Sequence, residues 1–258
     1  MIETYQREIT GVLNRLWQTQ TSNLRQAAVW MADAIAAGGL VHVYGSGHSV
    51  LPVMDIFPRY GSYAGFHPMM DSRLMWFSVL DAGGVHELLW LERKEGYAKV
   101  FLETQDLVPG DVLLVFSHGG INAAGIDVAL EAKARGLKTV AVTSLDNARQ
   151  KTATHSSGKK LADACDLVID NCVPAEDALV PVEGVAGKVG AGSTVAVITI
   201  GMALVSEVAA QLRRRGVTPQ PFVSPNVKEV GPENNAQVFA EYRRRRAQHA
   251  ARARGIAG

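Results

Sequence analysis

Leu40-Val41-His42-Val43-Tyr44-Gly45-Ser46-Gly47-His48-Ser49 decides the reading of this chain: a short apolar strand runs straight into a turn of two glycines and two serines. Such a turn brings backbone N–H groups and hydroxyls together at a strand end, which suits an anion, and glycine supplies the backbone freedom that the turn requires. The same grammar returns at Val112 to Phe116, which is followed by Ser117-His118-Gly119-Gly120 and a helix from about Ala123 to Ala134 that Gly136 closes. Thr139 to Thr143 and Leu167 to Asp170 read as two more strands. Strand, loop and helix repeated in this order predict an α/β fold with a parallel sheet covered on both faces. Ligands of such sheets bind at the carboxyl ends of the strands.

Upstream of that stretch, Ile2, Tyr5, Ile9, Val12, Leu13 and Leu16 recur at helical spacing, and Leu24, Ala28, Met31, Ala32 and Ile35 repeat the pattern after the polar patch Thr21 to Asn23. This predicts two amphipathic helices, the second stopped by Gly38 and Gly39. Downstream, segments 61 to 84 and 145 to 165 are polar or glycine-containing and read as loops. The most apolar run, Thr194 to Val205, is interrupted by Ser206 and Glu207. A membrane span needs about 20 apolar residues, so this run predicts a buried helix. The tail from Tyr242 carries six arginines and no apolar periodicity after Phe239, and reads as a solvated or frayed helix end. We expect one domain over residues 1–258, with an N-terminal helical segment (1–39) and a basic C-terminal tail (242–258).

At 258 residues and 47% hydrophobic, the chain has the means to bury one substantial core. Its formal net charge of +1 points to neither nucleic acid nor membrane, which leaves a small molecule as the expected partner. Cys165 and Cys172 sit seven positions apart without metal-site company, and Met1 to Thr10 is polar rather than a secretory segment. Reduced thiols and a cytoplasmic location are expected.

The first turn competes with the dinucleotide fingerprint, and Asp71 even lies roughly where a ribose-binding acid belongs, but Val50 stands in place of the third glycine. An anion cradle of Ser46, Gly47, His48 and Ser49 is the better reading. Ser117, His118, Gly119, Gly120 and Asn122 form a second turn at what should be an adjacent strand end, with Thr143 and Ser144 at the next. The loop Thr154 to Lys160 adds His155, Ser156, Ser157 and Lys159, enough to hold an anion and exchange a proton. Aldose-ketose interconversion needs such acid–base groups. Asp55, Glu92, Glu95, Asp177 and Glu183 are the candidate acids, and His48, His86, His118 and His155 the candidate bases; spacing alone does not rank them. His155 is favoured among the imidazoles, since an ordinary histidine titrates near neutrality and its loop is rich in anion-binding partners. No metal-ligand spacing or cofactor motif is recognisable, so no metal or cofactor is expected.

Taken together, Gly45-Ser46-Gly47-His48-Ser49, Leu91-Glu92-Arg93-Lys94-Glu95-Gly96-Tyr97, His155-Ser156-Ser157-Gly158-Lys159, Ile169-Asp170-Asn171-Cys172-Val173-Pro174, Lys188-Val189-Gly190 and Ser193-Thr194-Val195 resemble the sugar isomerase (SIS) domain proteins, especially their uncharacterised members related to phosphoheptose isomerases. The resemblance implies a three-layer αβα sandwich with a five-stranded parallel sheet of the flavodoxin-like SIS kind. It also implies a homodimer or homotetramer, and phosphosugar binding by serines and threonines at strand ends. Two departures stand out. Ser117-His118-Gly119-Gly120 replaces the family's Ser-x-Ser-Gly, so one hydroxyl is gone and an imidazole stands beside the gap. Met54 and Asp55 occupy the place where similar isomerases keep a catalytic glutamate, which shifts weight to Glu92 as the acid that matches the subgroup's own pattern. The expected activity is aldose-ketose isomerisation of a six- or seven-carbon sugar with a terminal anion, with Glu92 and His155 moving the protons. An etherase-like lyase and a non-catalytic sugar-phosphate sensor are the alternatives.

Overall fold

The computed structural model describes residues 1–227, 230–231 and 233–255. Helix α1, Ile2–Ala36, leads into strand β1, Val41–Gly45, whose turn passes through a single 3-10 turn at Gly47–Ser49 into helix α2, Val50–Ile56. Strand β2, Phe66–Met69, helices α3, Val85–Leu91, and α4, Tyr97–Leu102, and strand β3, Val112–Phe116, come next. Then follow α5, Ala123–Ala134, β4, Lys138–Thr143, α6, Leu145–Gln150, α7, Leu161–Ala164, and β5, Leu167–Asp170. A hairpin of β6, Ala178–Pro181, and β7, Lys188–Ala191, precedes the long helix α8, Ser193–Arg214, and α9, Glu233–Ala253, closes the described chain.

The five strands form one parallel sheet in the order β2-β1-β3-β4-β5. Its interior strands are continuous apolar runs because both faces are covered: Val112, Leu114 and Phe116 join the core beneath α1, α2 and α8, while Leu113 and Val115 join the core beneath α3, α4, α5 and α7. This is the three-layer α/β architecture that the sequence predicts. Register fixes the functional end of the sheet. Gly45 pairs with Phe116, and Phe116 with Val142, so the turns after β1 and β3 leave the sheet side by side.

Four expectations need correction. The N-terminal segment is one helix of 35 residues rather than two. Its polar patch does not break it, because the Thr21 hydroxyl donates back to the Trp17 carbonyl and Asn23 donates to the Val168 carbonyl of β5. The region 61–84 contains the edge strand β2, and the region 145–165 contains α6 and α7. The arginine-rich tail is no frayed end: α9 runs to Ala253, buries His249, and Arg245 donates to the Ile35 carbonyl at 3.0 Å. Residues 256–258 of that predicted tail lie outside the described residues.

Helix α8 is long and apolar enough to cross a membrane by length and composition. It packs along α1 instead and buries Ala196, Ile200, Leu204, Val208 and Leu212, as the interrupted apolar run predicts.

Candidate functional site

A cavity of about 300 Å³ opens where the turns after β1 and β3 meet the start of α8. Its polar wall is Ser46 to Ser49, Glu92, Ser117 to Gly119, Asn122, Asp177, Ser193 and Thr194; its apolar wall is Trp76, Val85, Leu88, Leu89 and Val197. Two glycines make the turns possible. A Cβ on Gly45 would stand 2.1 Å from the Ser49 carbonyl oxygen. Gly120 has φ +60, and a Cβ there would meet the Thr143 hydroxyl at 2.6 Å. The first turn therefore folds back on itself and the second lies flat on β4, conformations closed to other residues.

Glu92 sits just past the C-terminus of α3 and is 6% exposed. Its carboxylate bridges the two turns: the Ser46 hydroxyl donates to Oε2 at 2.8 Å and the Asn122 amide donates to Oε1 at 2.8 Å. Its backbone carbonyl accepts from Ala124 N–H at 2.9 Å, which ties the end of α3 to the start of α5. Burial holds the carboxyl above the ordinary range against the opposing pull of the Ser46 hydrogen bond. A carboxylate with a raised pKa, fixed by two donors at a cavity wall, is equipped to accept a proton.

His118 is the imidazole inside the cavity. Asn171 Nδ2 lies 3.2 Å from its Nδ1 and the Ala175 carbonyl lies 3.4 Å from its Nε2, an arrangement that places the ring hydrogen on Nε2. His48 packs edge-on against Trp76 with ring centroids 4.5 Å apart. The Ser117 hydroxyl oxygen accepts from Gly120 N–H at 3.2 Å, which leaves its own hydrogen free to donate. Asp177 adopts φ +66, uncommon for a residue with a side chain, and caps α8: it accepts from Gly192 N–H at 3.1 Å, Ser193 N–H at 2.7 Å and the Ser193 hydroxyl at 2.9 Å.

The remaining predicted site residues lie elsewhere. His155 is buried outside the cavity lining, with Nδ1 on the Ser157 N–H and hydroxyl and Nε2 at 3.1 Å from Asp127 of α5. Ser156 donates from its N–H and hydroxyl to Glu95, and Lys159 is exposed on the same loop. This loop is an anchor between α5 and the segment after α3. Thr143 donates to the His118 carbonyl, so its hydroxyl shapes the second turn from beneath, and Ser144 donates to the Val173 carbonyl after β5. Gly120 lies against β4, behind that turn. Asp55 pairs with Arg59, His86 lines a separate groove beside Phe77 and Trp90, and Glu183 is exposed in the β6–β7 hairpin. Trp76 was hidden in a region that reads as loop, and Val85, Leu88 and Leu89 lie between that region and the Glu92 motif without a site signal of their own, whereas Ser193 and Thr194 follow Gly192 at the head of an apolar helix and were legible as a helix start.

Among the described residues one group of metal-ligating types meets in space, His42, Asp111 and His249, at the opposite end of the sheet from the cavity. Both imidazole Nδ1 atoms are buried without a partner, whereas a metal-bound imidazole needs an acceptor for that N–H.

A family model described as SIS domain matches residues 4–144, more than half of the chain. The chain belongs to the SIS domain family. Over nearly its whole length this SIS domain protein is similar to a UPF0309 protein of Listeria monocytogenes serotype 4b, 32% identical over 238 residues that cover 92% of this chain and 94% of the relative. It is also similar to UPF0309 proteins of Geobacillus thermodenitrificans, 33% identical over 95% of this chain and 96% of the relative, and of Halalkalibacterium halodurans, 34% identical over the same shares. Among solved structures, the SIS fold is shared with a phosphoheptose isomerase from Francisella tularensis at a TM-score of 0.52 and 16% identity, covering 80% of this chain and 95% of that one. It is likewise shared with phosphoheptose isomerase GmhA from Neisseria gonorrhoeae, also at 0.52 and 16%, covering 81% and 97%. At these identities the likeness concerns the fold.

Proposed function

We propose that this SIS domain binds the phosphorylated end of a sugar, or a similar anion, between the turns Ser46–Ser49 and Ser117–Asn122, and interconverts its aldose and ketose forms. One observation carries the reading: the raised-pKa carboxylate of Glu92 hydrogen-bonds to both turns and faces a cavity rich in hydroxyls. Glu92 removes the proton from the carbon beside the carbonyl of the open-chain sugar, which gives an enediol, and returns it to the neighbouring carbon. His118, with its hydrogen on Nε2, passes a proton between the two sugar oxygens. His118 lines the cavity, whereas His155, to which the sequence assigns this role, lies outside its lining. Among the described residues the cavity lining has no lysine or arginine, so neutral donors hold the anion, among them the hydroxyls of Ser49, Ser117 and Thr194. Trp76, Val85, Leu88 and Leu89 offer a surface to the sugar's carbon-bound hydrogens. The sugar's other hydroxyls can donate to Asp177.

The test is a thermal-shift screen of sugar phosphates, sulfonates and carboxylates, in which a ligand at 100 times its dissociation constant adds about 2.7 kcal/mol of stability. The hit is then incubated in deuterated water. Deuterium at the sugar's second carbon together with the isomeric product supports isomerisation. A deuterated product that has lost a substituent would make the chain a lyase, and binding without exchange would make it a sensor. No stabilisation by any anionic sugar would remove the proposal.

A further inference from the structure

Away from the cavity, at the amino-terminal end of β1, helix α9 closes over a buried cluster of histidines. Asp111, 1% exposed, sits in the turn before β3 and is held by Leu40 N–H at 3.0 Å and Val108 N–H at 3.1 Å. Its Oδ2 receives His42 Nε2 of β1 at 2.9 Å and His249 Nε2 of α9 at 2.5 Å, and both rings are fully buried. Asp111 is a carboxylate here: its two histidine hydrogen bonds hold it well below the ordinary range in spite of burial. It can only accept, so each ring donates its Nε2 hydrogen. The Nδ1 atoms of both rings are then bare, and neither has a partner among the described residues. A second proton on His42 would sit on a buried Nδ1 with no acceptor among the described residues, at a cost that a docked helix must bear.

One strand away on β2, His67 contacts the same helix. Its Nδ1 lies 2.7 Å from the Tyr242 hydroxyl of α9 and its Nε2 lies 3.5 Å from Gln105 Oε1. Burial keeps the Tyr242 phenol protonated, so it donates and His67 accepts. Protonation of His67 removes that acceptor. The charged groups around the pair are Asp111 and His249 beside His42, and Arg246 of α9, which acts on both rings and is itself 3.7 Å from Asp106. Arg246 repels a charge on either ring, and His42, His67 and His249 repel one another; Asp111 favours the charge on His42, and the hydrogen bond to Gln105 favours it on His67. Burial is the dominant influence and lowers both pKa values, that of His67 to about 3.

We propose that α9 is a proton-sensitive latch, docked at the sheet edge while His42 and His67 are neutral and released as they take up protons in mildly acidic solution. The sign follows from linkage. Both rings bind a proton in the open form near the ordinary histidine value of about 6.5 and resist it in the docked form, so their contribution to docking is full above that pH and is lost progressively as the pH falls below it. Each ring raises the opening constant about tenfold between pH 7.5 and 5.5, and the pair raises it about 100-fold.

Hydrogen exchange of the full chain tests this, with rates corrected for the intrinsic effect of pH. Peptides from 233–253 should open about 100-fold more readily at pH 5.5 than at 7.5, while peptides from β3, residues 112–116, stay protected. In the double variant His42→Gln, His67→Gln the rise should disappear. If that variant does not fold, the imidazole signals of the wild-type chain in an NMR titration provide the second measurement: both rings should charge only as α9 opens. Four outcomes would overturn the latch: no pH dependence of α9, an equal rise in the double variant, charging of both rings with α9 still docked, or opening of β3 together with α9. Stoichiometric zinc in the purified chain that His249→Gln abolishes would overturn it as well, because the imidazoles would then be ligated.

Discussion

Glu92→Gln separates proton transfer from binding, and the structure sets what to expect. Glutamine keeps the shape of the side chain; its amide oxygen can accept from Asn122, and the Ser46 hydroxyl can turn to accept from its NH2 group. The cradle therefore survives, and ligand affinity should change little. The fold should not suffer either. Because burial raises the pKa of Glu92, the folded state disfavours its ionised form, and that penalty is absent below the ordinary carboxylate range and present as the pH rises. At pH 7.5 the variant should melt at the wild-type temperature or above it. Turnover, by contrast, loses its base. A general base contributes at least about 100-fold, equivalent to about 2.7 kcal/mol of barrier. The assay is deuterium incorporation at the sugar's second carbon, with the ligand from the thermal screen, followed across pH. Wild-type kcat/KM should fall on the acid side as Glu92 takes a proton, at a pH above the ordinary glutamate value of about 4.3, and glutamine should abolish that limb with the activity. Exchange that continues undiminished in the variant would refute the assignment of the base.

Ser49→Ala and Ser117→Ala each remove a hydroxyl from a preformed turn, so calorimetry should show affinity for the anion weakened by about 1.5–3 kcal/mol in each; wild-type affinity in both would place the anion elsewhere. Leu114→Ala empties a fully buried position at the centre of β3 and should cost about 2–5 kcal/mol in urea unfolding, and a loss below 1 kcal/mol would show that the core collapses around the gap. The apolar helices α1 and α8 are proposed to contribute to a subunit interface, in which exposed Trp17 and Val195 would take part. Light scattering should then give at least twice the 27.7 kDa chain mass at micromolar concentration, and a monomer mass would remove the interface.

The central part of the fold was legible because its signals are local. Val112 to Phe116 is an unbroken apolar strand, the helix after it ends at a glycine, and the turns between carry their own glycines and serines. Strand β2 was not legible: Phe66-His67-Pro68-Met69 is four residues long with a proline, tolerated because the strand lies at the sheet edge. Helix α9 was read as solvated because its one fully buried polar side chain, His249, finds its partner 138 residues earlier. In the site, Glu92 reached the cavity and His155 did not, although both stood in recognisable motifs. An imidazole flanked by serines looks alike in sequence whether it faces a ligand or, as here, fastens a loop to Asp127.

The two polar walls of the cavity belong to separate hydrogen-bonded units. Glu92, Ser46 and Asn122 form one, Asp177 and Ser193 the other, and among the described residues no hydrogen bond joins them. Changes in units that share no partner tend to combine additively. If the proposed function holds, the wall at the head of α8 is thus free to diverge, or to be redesigned, toward a different ligand without breaking the hydrogen bonds of the carboxylate on the other side. A chain built this way can exchange what it recognises while keeping what it does.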